Sequence, residues 1–301
     1  EQHPDTPMYI SECCATSTTR GWYFPDSPEN GYVHAYDTDM NMWWTSRERF
    51  MDEFTSRPWL FGFFQWIAFE HRGEAVWPRI CSQAGAIDLF MQKKDAFYQN
   101  QSHFMDGKKN PMVHLLPHWN WCGLEGEKIK VFAYTNCEEV ELILNGETLY
   151  RQAVDSYHHL EWYVPYTAGT LECVAYIDGK EVARDKKETT GKAVALKLRL
   201  DNAGDVTANN QDIAMVTCYC VDEQGREVPD ASPLVHFSVN ELGTIVGTGS
   251  SVADHTPVPS TYRKMYAGRI GVAVRTKETN GELKVFATSE NLGTACLTVE
   301  I

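Results

Sequence analysis

The first third of the chain alternates short apolar runs with segments of helical periodicity. Residues 8–10 form one apolar run, and residues 60–67 form a longer one that is typical of a strand buried on both faces of a parallel sheet. A helical pattern over 45–57 opens on a Thr-Ser pair, and both residues are good N-caps. A second helix is predicted over 93–104. This order of strand, helix, strand and helix predicts two βα units in a domain at 1–105.

From residue 106 onward the pattern changes to short alternating strands. Apolar and polar residues alternate through 128–135, and the Asn-Gly pair at 145–146 and the Asp-Gly pair at 178–179 are typical of two-residue hairpin turns. The same alternation returns beyond residue 192. Short alternating strands separated by turns indicate antiparallel β-sandwiches. We predict one at 106–191 and a second at 192–301.

Charge and composition narrow the range of partners. The formal net charge is −14, and this argues against binding a nucleic-acid backbone or an anionic membrane surface. No apolar stretch approaches the roughly 18–20 residues that a membrane span needs. The polar start without a Met suggests a mature or internal piece of a protein.

The nine cysteines are scattered along the chain and show no paired Cys-x-x-Cys motif. We interpret most of them as reduced, structural thiols, which slightly favours the cytoplasm and leaves periplasmic or secreted locations open. The adjacent Cys13 and Cys14 could form a redox pair, although small pocket-wall residues are the favoured interpretation. Neither a metal site nor a cofactor is predicted, because acidic and His residues do not cluster at ligand spacing.

Glu12 is the strongest candidate for chemistry. The apolar run at 8–10 ends abruptly in Ser11 and Glu12. Catalytic side chains of barrel enzymes lie where parallel strands end at the carboxyl face, and a carboxylate there is what a retaining glycosidase uses as its nucleophile. Taken alone, a Glu after a short apolar run is more often a solvated loop residue.

Five ordered segments strengthen this hypothesis. In chain order they are TPMYISECCATSTTRGWY, AYDTDMNMWW, FGFFQWIAFEHRGEAVWP, the pair GAIDLF and FYQNQSHF, and VHLLPHWNW. Together they resemble the C-terminal portion of a glycoside hydrolase family 2 enzyme of the β-galactosidase type. The resemblance implies that 1–105 is the C-terminal part of a (β/α)8 TIM barrel, that 106–191 is an immunoglobulin-like sandwich, and that 192–301 is a second, bacterial immunoglobulin-like sandwich.

The same resemblance implies roles for five residues. Glu12 matches the catalytic nucleophile, which forms a covalent glycosyl-enzyme. Trp66 matches the aromatic residue at the floor of the sugar pocket. Glu70 stands where the family often has Asp, and Tyr36 and Asp37 match a family Tyr-Asp pair, so all three are candidates for substrate binding.

The second carboxylate of a retaining enzyme is missing from the sequence. In the family, the general acid/base is the Glu of an Asn-Glu pair well upstream of the nucleophile. The only Asn-Glu pair here is Asn240-Glu241, which falls inside the last predicted sandwich. A barrel also needs about 200–250 residues. We therefore predict a fragment that needs the N-terminal part of the same enzyme and has little or no activity alone.

The expected substrate is a neutral β-glycoside, most simply a β-galactoside. A glucuronidase would carry an Asn-x-Lys motif to bind the sugar carboxylate, and this motif is absent from the sequence. The basic cluster that comes nearest to such a motif, residues 92–94, is predicted to be the exposed start of a helix.

The sequence is also compatible with two other classes of function. A non-catalytic carbohydrate-binding or adhesion module would use Trp119, Trp121 and Trp162 as surface aromatics, whereas the favoured interpretation places these side chains in a sandwich core or at an interface. A purely structural spacer is the other alternative.

Overall fold

A computed structural model of the chain describes residues 6–38 and 45–301. The second half of the AYDTDMNMWW segment, residues 39–44, lies outside the described residues. The chain divides into two compact units. The first comprises Glu1–Ala75, Cys81–Asp88 and Lys93–Thr189, and the second comprises Val76–Ile80, Leu89–Gln92 and Thr190–Ile301.

The N-terminal part of the first unit has the predicted order of elements. It contains β1 (Met8–Cys13), a short 3-10 helix (Pro28–Asn30), α1 (Arg47–Thr55), β2 (Leu60–Gln65) and α2 (Asp95–Phe104). The strands β1 and β2 pair in parallel, with Ile10 opposite Phe63 and Cys13 opposite Gln65. A TIM barrel is not present in the described residues, because these two strands form a sheet of their own and a closed barrel needs eight.

Local sequence explains where α1 lies. The Ser46 hydroxyl accepts a hydrogen bond from the Arg49 N–H, so Ser46 is the N-cap that the sequence indicated. Phe50 and Phe54 share one face of the helix, and each ring meets that of Phe63 at 4.8 Å between centroids. This aromatic cluster attaches α1 to one face of the parallel pair.

The other face of the parallel pair is not covered. Phe61 is 69% exposed and Phe64 is 66% exposed, and both rings contact the ring of Tyr9, which is also exposed. The expectation of a strand buried on both faces is therefore wrong for β2 as it stands in this chain. Along the second apolar run, Phe64 is exposed, whereas Phe63 and Ile67 are half-buried.

The rest of the first unit is an antiparallel sandwich of two sheets, in the orders β3-β4-β7 and β6-β5-β8-β9. The strands are β3 (Val113–Leu116), β4 (Lys128–Thr135), β5 (Glu139–Leu144), β6 (Glu147–Ala153), β7 (Leu160–Pro165), β8 (Thr170–Ile177) and β9 (Lys180–Glu188). Inward residues of both sheets, such as Val131 and Leu142, form one buried core. Trp119, Trp121 and Trp162 belong to that core, as the favoured interpretation predicted. Asn145 and Gly146 both have positive φ, as do Asp178 and Gly179, and this matches the predicted hairpin turns.

The second unit is a sandwich with sheets in the orders β10-β11-β15-β13 and β14-β12-β16-β17. The strands are β10 (Ala195–Leu200), β11 (Ile213–Val221), β12 (Leu234–Val239), β13 (Gly243–Gly249), β14 (Tyr262–Lys264), β15 (Arg269–Thr276), β16 (Glu282–Ser289) and β17 (Gly293–Glu300). Its core includes Cys218 and Cys220, which lie two positions apart on β11 and therefore point to the same face.

Over the described ranges, no helix is long and apolar enough to cross a membrane. All nine cysteines are free thiols. Most are buried or half-buried, whereas Cys122 and Cys296 are exposed.

Candidate functional site

The predicted nucleophile and the predicted aromatic residue meet at one edge of the parallel pair. Glu12 is the next-to-last residue of β1, and its side chain is exposed. Trp66 follows the last residue of β2, and its backbone N–H donates to the carbonyl of Cys13 over 2.7 Å. Because β1 and β2 are parallel, both carboxyl ends lie at the same edge. The structure thus places Glu12 and Trp66 on neighbouring strand ends, although they are 54 positions apart in the printed sequence.

A buried arginine lies beneath this edge. Arg47, at the first position of α1, is 2% exposed and forms an ion pair with Asp37 at 3.2 Å between Nη1 and Oδ2. Its Nε donates to the Asn100 side-chain oxygen at 3.0 Å. With its amide oriented to satisfy its neighbours, the Gln65 oxygen lies 2.7 Å from the same Nε. The guanidinium is therefore shared among three polar side chains that come from three segments of the chain.

The two cysteines after Glu12 are asymmetric. The Cys14 thiol is buried and donates to the Cys13 sulfur at 3.4 Å. This hydrogen bond lowers the pKa of Cys13, and the positive charge of Arg47 acts in the same direction. The same contact raises the pKa of Cys14, and burial raises it further. Cys14 packs with Phe50 and Met51, which agrees with a wall residue.

Trp66 is supported from the side by His71. The two rings are perpendicular, with centroids 5.7 Å apart. The His71 Nδ1 lies 3.2 Å from the Ser82 hydroxyl, and the Ser82 N–H donates to the His71 carbonyl. The Trp66–Ile67 peptide bond is cis. These contacts fix the loop that begins at Trp66 against the segment around Ser82.

Glu70 is buried rather than presented to a ligand. It is 4% exposed, and its Oε1 lies 2.8 Å from the Lys94 ammonium, which also donates to the Gln83 carbonyl. The Cys81 thiol contacts the other oxygen, Oε2, at 3.7 Å. Burial and the nearby Glu70 carboxylate raise the pKa of Cys81. Lys94 is thus a buried cation, and the prediction that residues 92–94 are an exposed helix start is wrong for Gln92 and Lys94, whereas Lys93 is exposed.

Tyr36 and Asp37 are buried as well. The Tyr36 hydroxyl donates to the Lys130 carbonyl at 2.7 Å, and its ring packs on Phe132. Burial raises the pKa of Tyr36. Asp37 accepts from both the backbone and the side chain of Arg47. The burial of Tyr36, Asp37 and Glu70 favours a role in holding the loops in place. The resemblance had instead suggested that these residues contact the sugar.

Sequence reasoning missed the burial of Arg47 and Lys94. A Lys or Arg at the start of a helix usually lies on the surface, so neither position carries a local signal of burial. A third buried ion pair, Arg20 with Asp88 at 2.7 Å, joins two segments in the same way. None of the described residues form a cluster of three or more His, Cys, Asp or Glu that could hold a metal ion.

Comparison with known proteins supports the resemblance. A family profile described as glycoside hydrolase family 2 C-terminal domain 5 matches residues 196–298, and a domain of unknown function matches residues 126–183. A β-galactosidase of Bacteroides ovatus is 30% identical over 98% of this chain and 36% of its own length. A putative β-glucuronidase of Formosa agariphila is 32% identical over 76% of this chain and 23% of its own length.

Solved structures agree with these matches. A β-glycosidase from Bacteroides vulgatus superposes with a TM-score of 0.88 at 28% identity, and the match covers 97% of this chain and 42% of that protein. A glycosyl hydrolase family 2 member from Bacteroides cellulosilyticus gives 0.81 at 26% identity, covering 99% of this chain and 40% of that protein. The chain spans less than half the length of each of these relatives. Its matched regions and its fold identify it as the C-terminal portion of a glycoside hydrolase family 2 enzyme.

Proposed function

We propose that this chain supplies the nucleophile and one wall of the sugar pocket in a retaining β-glycosidase. One observation carries the proposal: the hydrogen bond from the Trp66 N–H to the Cys13 carbonyl brings Trp66 to the strand end that bears the exposed Glu12. A carboxylate and an aromatic residue on neighbouring carboxyl ends of parallel strands suit attack on a sugar ring.

In the proposed first step, a Glu12 carboxylate oxygen attacks the anomeric carbon. The glycosidic bond breaks, and the leaving oxygen takes a proton from a second carboxylic acid. In the next step that carboxylate removes a proton from water, the water oxygen attacks the anomeric carbon, and Glu12 leaves as a carboxylate. The two carboxyl groups of such enzymes are about 5–5.5 Å apart.

The second carboxylate is proposed to come from outside this chain. Glu70 is occupied by the buried Lys94, and Glu74 is an exposed loop residue that faces His71 at 3.7 Å. The N-terminal part of the same enzyme would supply the acid/base and the remaining barrel strands.

The division into a barrel part at 1–105 and sandwiches at 106–191 and 192–301 is part of this proposal. The uncovered Tyr9, Phe61 and Phe64 face is where further strands would pack.

Within the pocket, Trp66 is proposed to contact the CH face of the sugar. Tyr36, Asp37 and Glu70 are proposed to hold the pocket loops, through Lys130, Arg47 and Lys94 respectively.

A neutral β-galactoside remains the proposed substrate. The proposal is supported by the similarity to a β-galactosidase and by the absence of an Asn-x-Lys motif. Relatives named as β-glucuronidases make a glucuronide the alternative, and parallel assays with both chromogenic glycosides separate the two.

The test is covalent trapping of Glu12 in the full enzyme that contains this chain. A 2-deoxy-2-fluoro-β-galactoside with a good leaving group should label the peptide that contains Glu12, as read by mass spectrometry. Glu12→Gln should abolish both labelling and turnover, and Glu74→Gln is the matched control that should keep labelling. Labelling of a different residue would overturn the assignment.

The isolated chain gives a second test. It should hydrolyse no chromogenic β-galactoside, because it lacks the acid/base. Turnover by the chain that disappears on Glu12→Gln would show that a second carboxylate is present after all, and Glu74→Gln would then be tested as its source.

The binding-module alternative loses its main support in this structure. Trp119, Trp121 and Trp162, the aromatics on which it depended, are buried in the sandwich core.

A further inference from the structure

Trp77 is unusually exposed to solvent for such a large apolar side chain. Its side chain is 78% exposed, and the preceding Val76 is 69% exposed. Leaving so much apolar area in water forgoes the stabilisation that burial would give, about 25 cal/mol per Å². Exposed aromatic area that is also held in a fixed orientation is a common feature of binding sites.

Trp77 is held in place from one side. The imidazole of His255 stacks on the indole, with centroids 4.4 Å apart and an angle of 27° between the planes. The His255 Nε2 lies 2.8 Å from the carbonyl of Pro78, so the imidazole is attached to the segment that carries Trp77. The Ile80 N–H donates to the Val252 carbonyl at 2.8 Å. All of these residues belong to the second unit.

The loop that carries His255 is itself fixed by a buried cation. Arg263 is 2% exposed, and its guanidinium donates to the carbonyls of Thr248, Thr256 and Pro257. It also forms an ion pair with Asp254 at 3.0 Å, next to His255. The Trp77–His255 stack is therefore built on hydrogen-bonded backbone, which reduces the entropy cost of ordering it for a ligand.

Trp77 is close to Trp66 in the sequence. Trp77 lies 11 residues after Trp66, in the connection that leaves the carboxyl edge of β2. In α/β enzymes, the connections that leave this edge carry the residues that contact the substrate.

We propose that the stacked pair of Trp77 and His255 is a platform that binds a sugar ring of an extended, neutral oligosaccharide. The flat, exposed indole offers apolar area to the CH groups of a pyranoside ring. The formal charge of −14 disfavours polyanionic ligands at long range, and family membership makes a carbohydrate the expected occupant. The choice of a carbohydrate as the ligand rests on the proposed function, whereas binding at Trp77 does not depend on the proposed role of Glu12.

The test measures binding by the 301-residue chain, which needs no catalysis. β-1,4-Galactotetraose is titrated by isothermal calorimetry and by ¹H-¹³C NMR of the tryptophan rings. Trp77→Ala should raise Kd about tenfold or more, because it removes the stacking surface. Phe61→Ala, which also removes an exposed aromatic ring, is the matched control and should change Kd less than about twofold.

Variants of His255 test the mechanism of support. His255→Ala should weaken binding by removing the ring that holds the indole, while His255→Phe should retain most of the affinity because it keeps the stack. If His255→Ala loses affinity and His255→Phe retains it, the stacked ring supports Trp77, and the hydrogen bond to the Pro78 carbonyl is not required.

Some outcomes overturn the inference without affecting the proposed nucleophile. If galactotetraose does not bind, or if Trp77→Ala binds as well as the parent chain, Trp77 is not a sugar platform. Protection of Trp77 from oxidation by the N-terminal part of the enzyme in the absence of sugar would show a polypeptide in its place. Covalent trapping at Glu12 tests the nucleophile independently of all three results.

Discussion

The parallel pair and the antiparallel sandwich of the first unit use aromatic residues in opposite ways. In the sandwich, Trp119, Trp121 and Trp162 are buried in the closed core. In the parallel pair, Tyr9, Phe61 and Phe64 contact one another on a face that remains exposed. Both regions have strongly apolar strands, so composition does not explain the difference.

The difference lies in how many strands each region contains. The sandwich has seven strands in two sheets whose inner faces cover each other, whereas the parallel pair has two strands covered by helix on one face only. A parallel sheet is stable when both of its faces are covered. The sandwich is therefore expected to be stable on its own, and the parallel pair to depend on packing partners.

The largest expected effect follows from emptying the sandwich core. Trp119→Ala should lower the free energy of unfolding by about 3–5 kcal/mol, because it leaves a large cavity at a fully buried position. Phe61→Ala in the parallel pair should change it by less than about 0.5 kcal/mol. Urea unfolding followed by far-UV circular dichroism measures both. Equal losses would contradict the comparison.

A smaller effect is expected for the buried ion pair of Glu70 and Lys94. Lys94→Met should cost about 3 kcal/mol, because it leaves the Glu70 carboxylate buried without its cation. Lys93→Met at the exposed neighbouring position is the control, with a change below about 0.5 kcal/mol. The double variant Lys94→Met/Glu70→Leu should recover most of the loss, and a failure to recover would indicate that Lys94 acts through its other contacts.

The exposed aromatic face should control self-association. Phe61→Lys combined with Phe64→Lys should shift the isolated chain toward monomer, because it removes the contiguous apolar surface. Tyr163→Lys, at an exposed position on β7, should have little effect. Sedimentation velocity over a range of concentrations distinguishes these outcomes, and an unchanged distribution in the double variant would place the association surface elsewhere.

The smallest effect concerns pH. Burial alone would lower the pKa of His158, but the Asp52 carboxylate at 3.1 Å outweighs it and raises the pKa. A raised histidine pKa contributes stability that is fully present below the unfolded value of about 6.5 and is lost as pH rises through the folded value. Because both side chains are largely solvated, the contribution should stay below about 1 kcal/mol.

The measurement compares the parent chain with His158→Gln at pH 5.5 and pH 8.5. The stability difference should be larger at pH 5.5, and Asp52→Asn should reduce this pH dependence to the part that comes from other carboxylates such as Asp155, 3.1 Å from the His158 Nδ1. An equal difference at both pH values would mean that the pair contributes nothing through charge.

Sequence patterns predicted the strands of both sandwiches well where side chains alternate. The strand β4 lies at the predicted residues, 128–135. Alternation failed to indicate two strands: β13 is rich in glycine, and β9 is mostly charged and is indicated only by the predicted hairpin turn before it. These strands are formed by pairing with β15 and β8, which local sequence does not encode.

For the candidate site, the sequence by itself determined that Glu12 comes just after the apolar run 8–10 and that Trp66 lies near the end of the apolar run 60–67, because strand-forming periodicity is local. Only the tertiary structure decided that Asp37 and Glu70 are buried against Arg47 and Lys94, because these ion pairs join residues distant in the chain. The stack of Trp77 on His255 is of the same kind, and the bond that secures it spans 177 positions. Periodicity predicts which segments become strands, whereas packing between distant segments decides which side chains remain exposed for function.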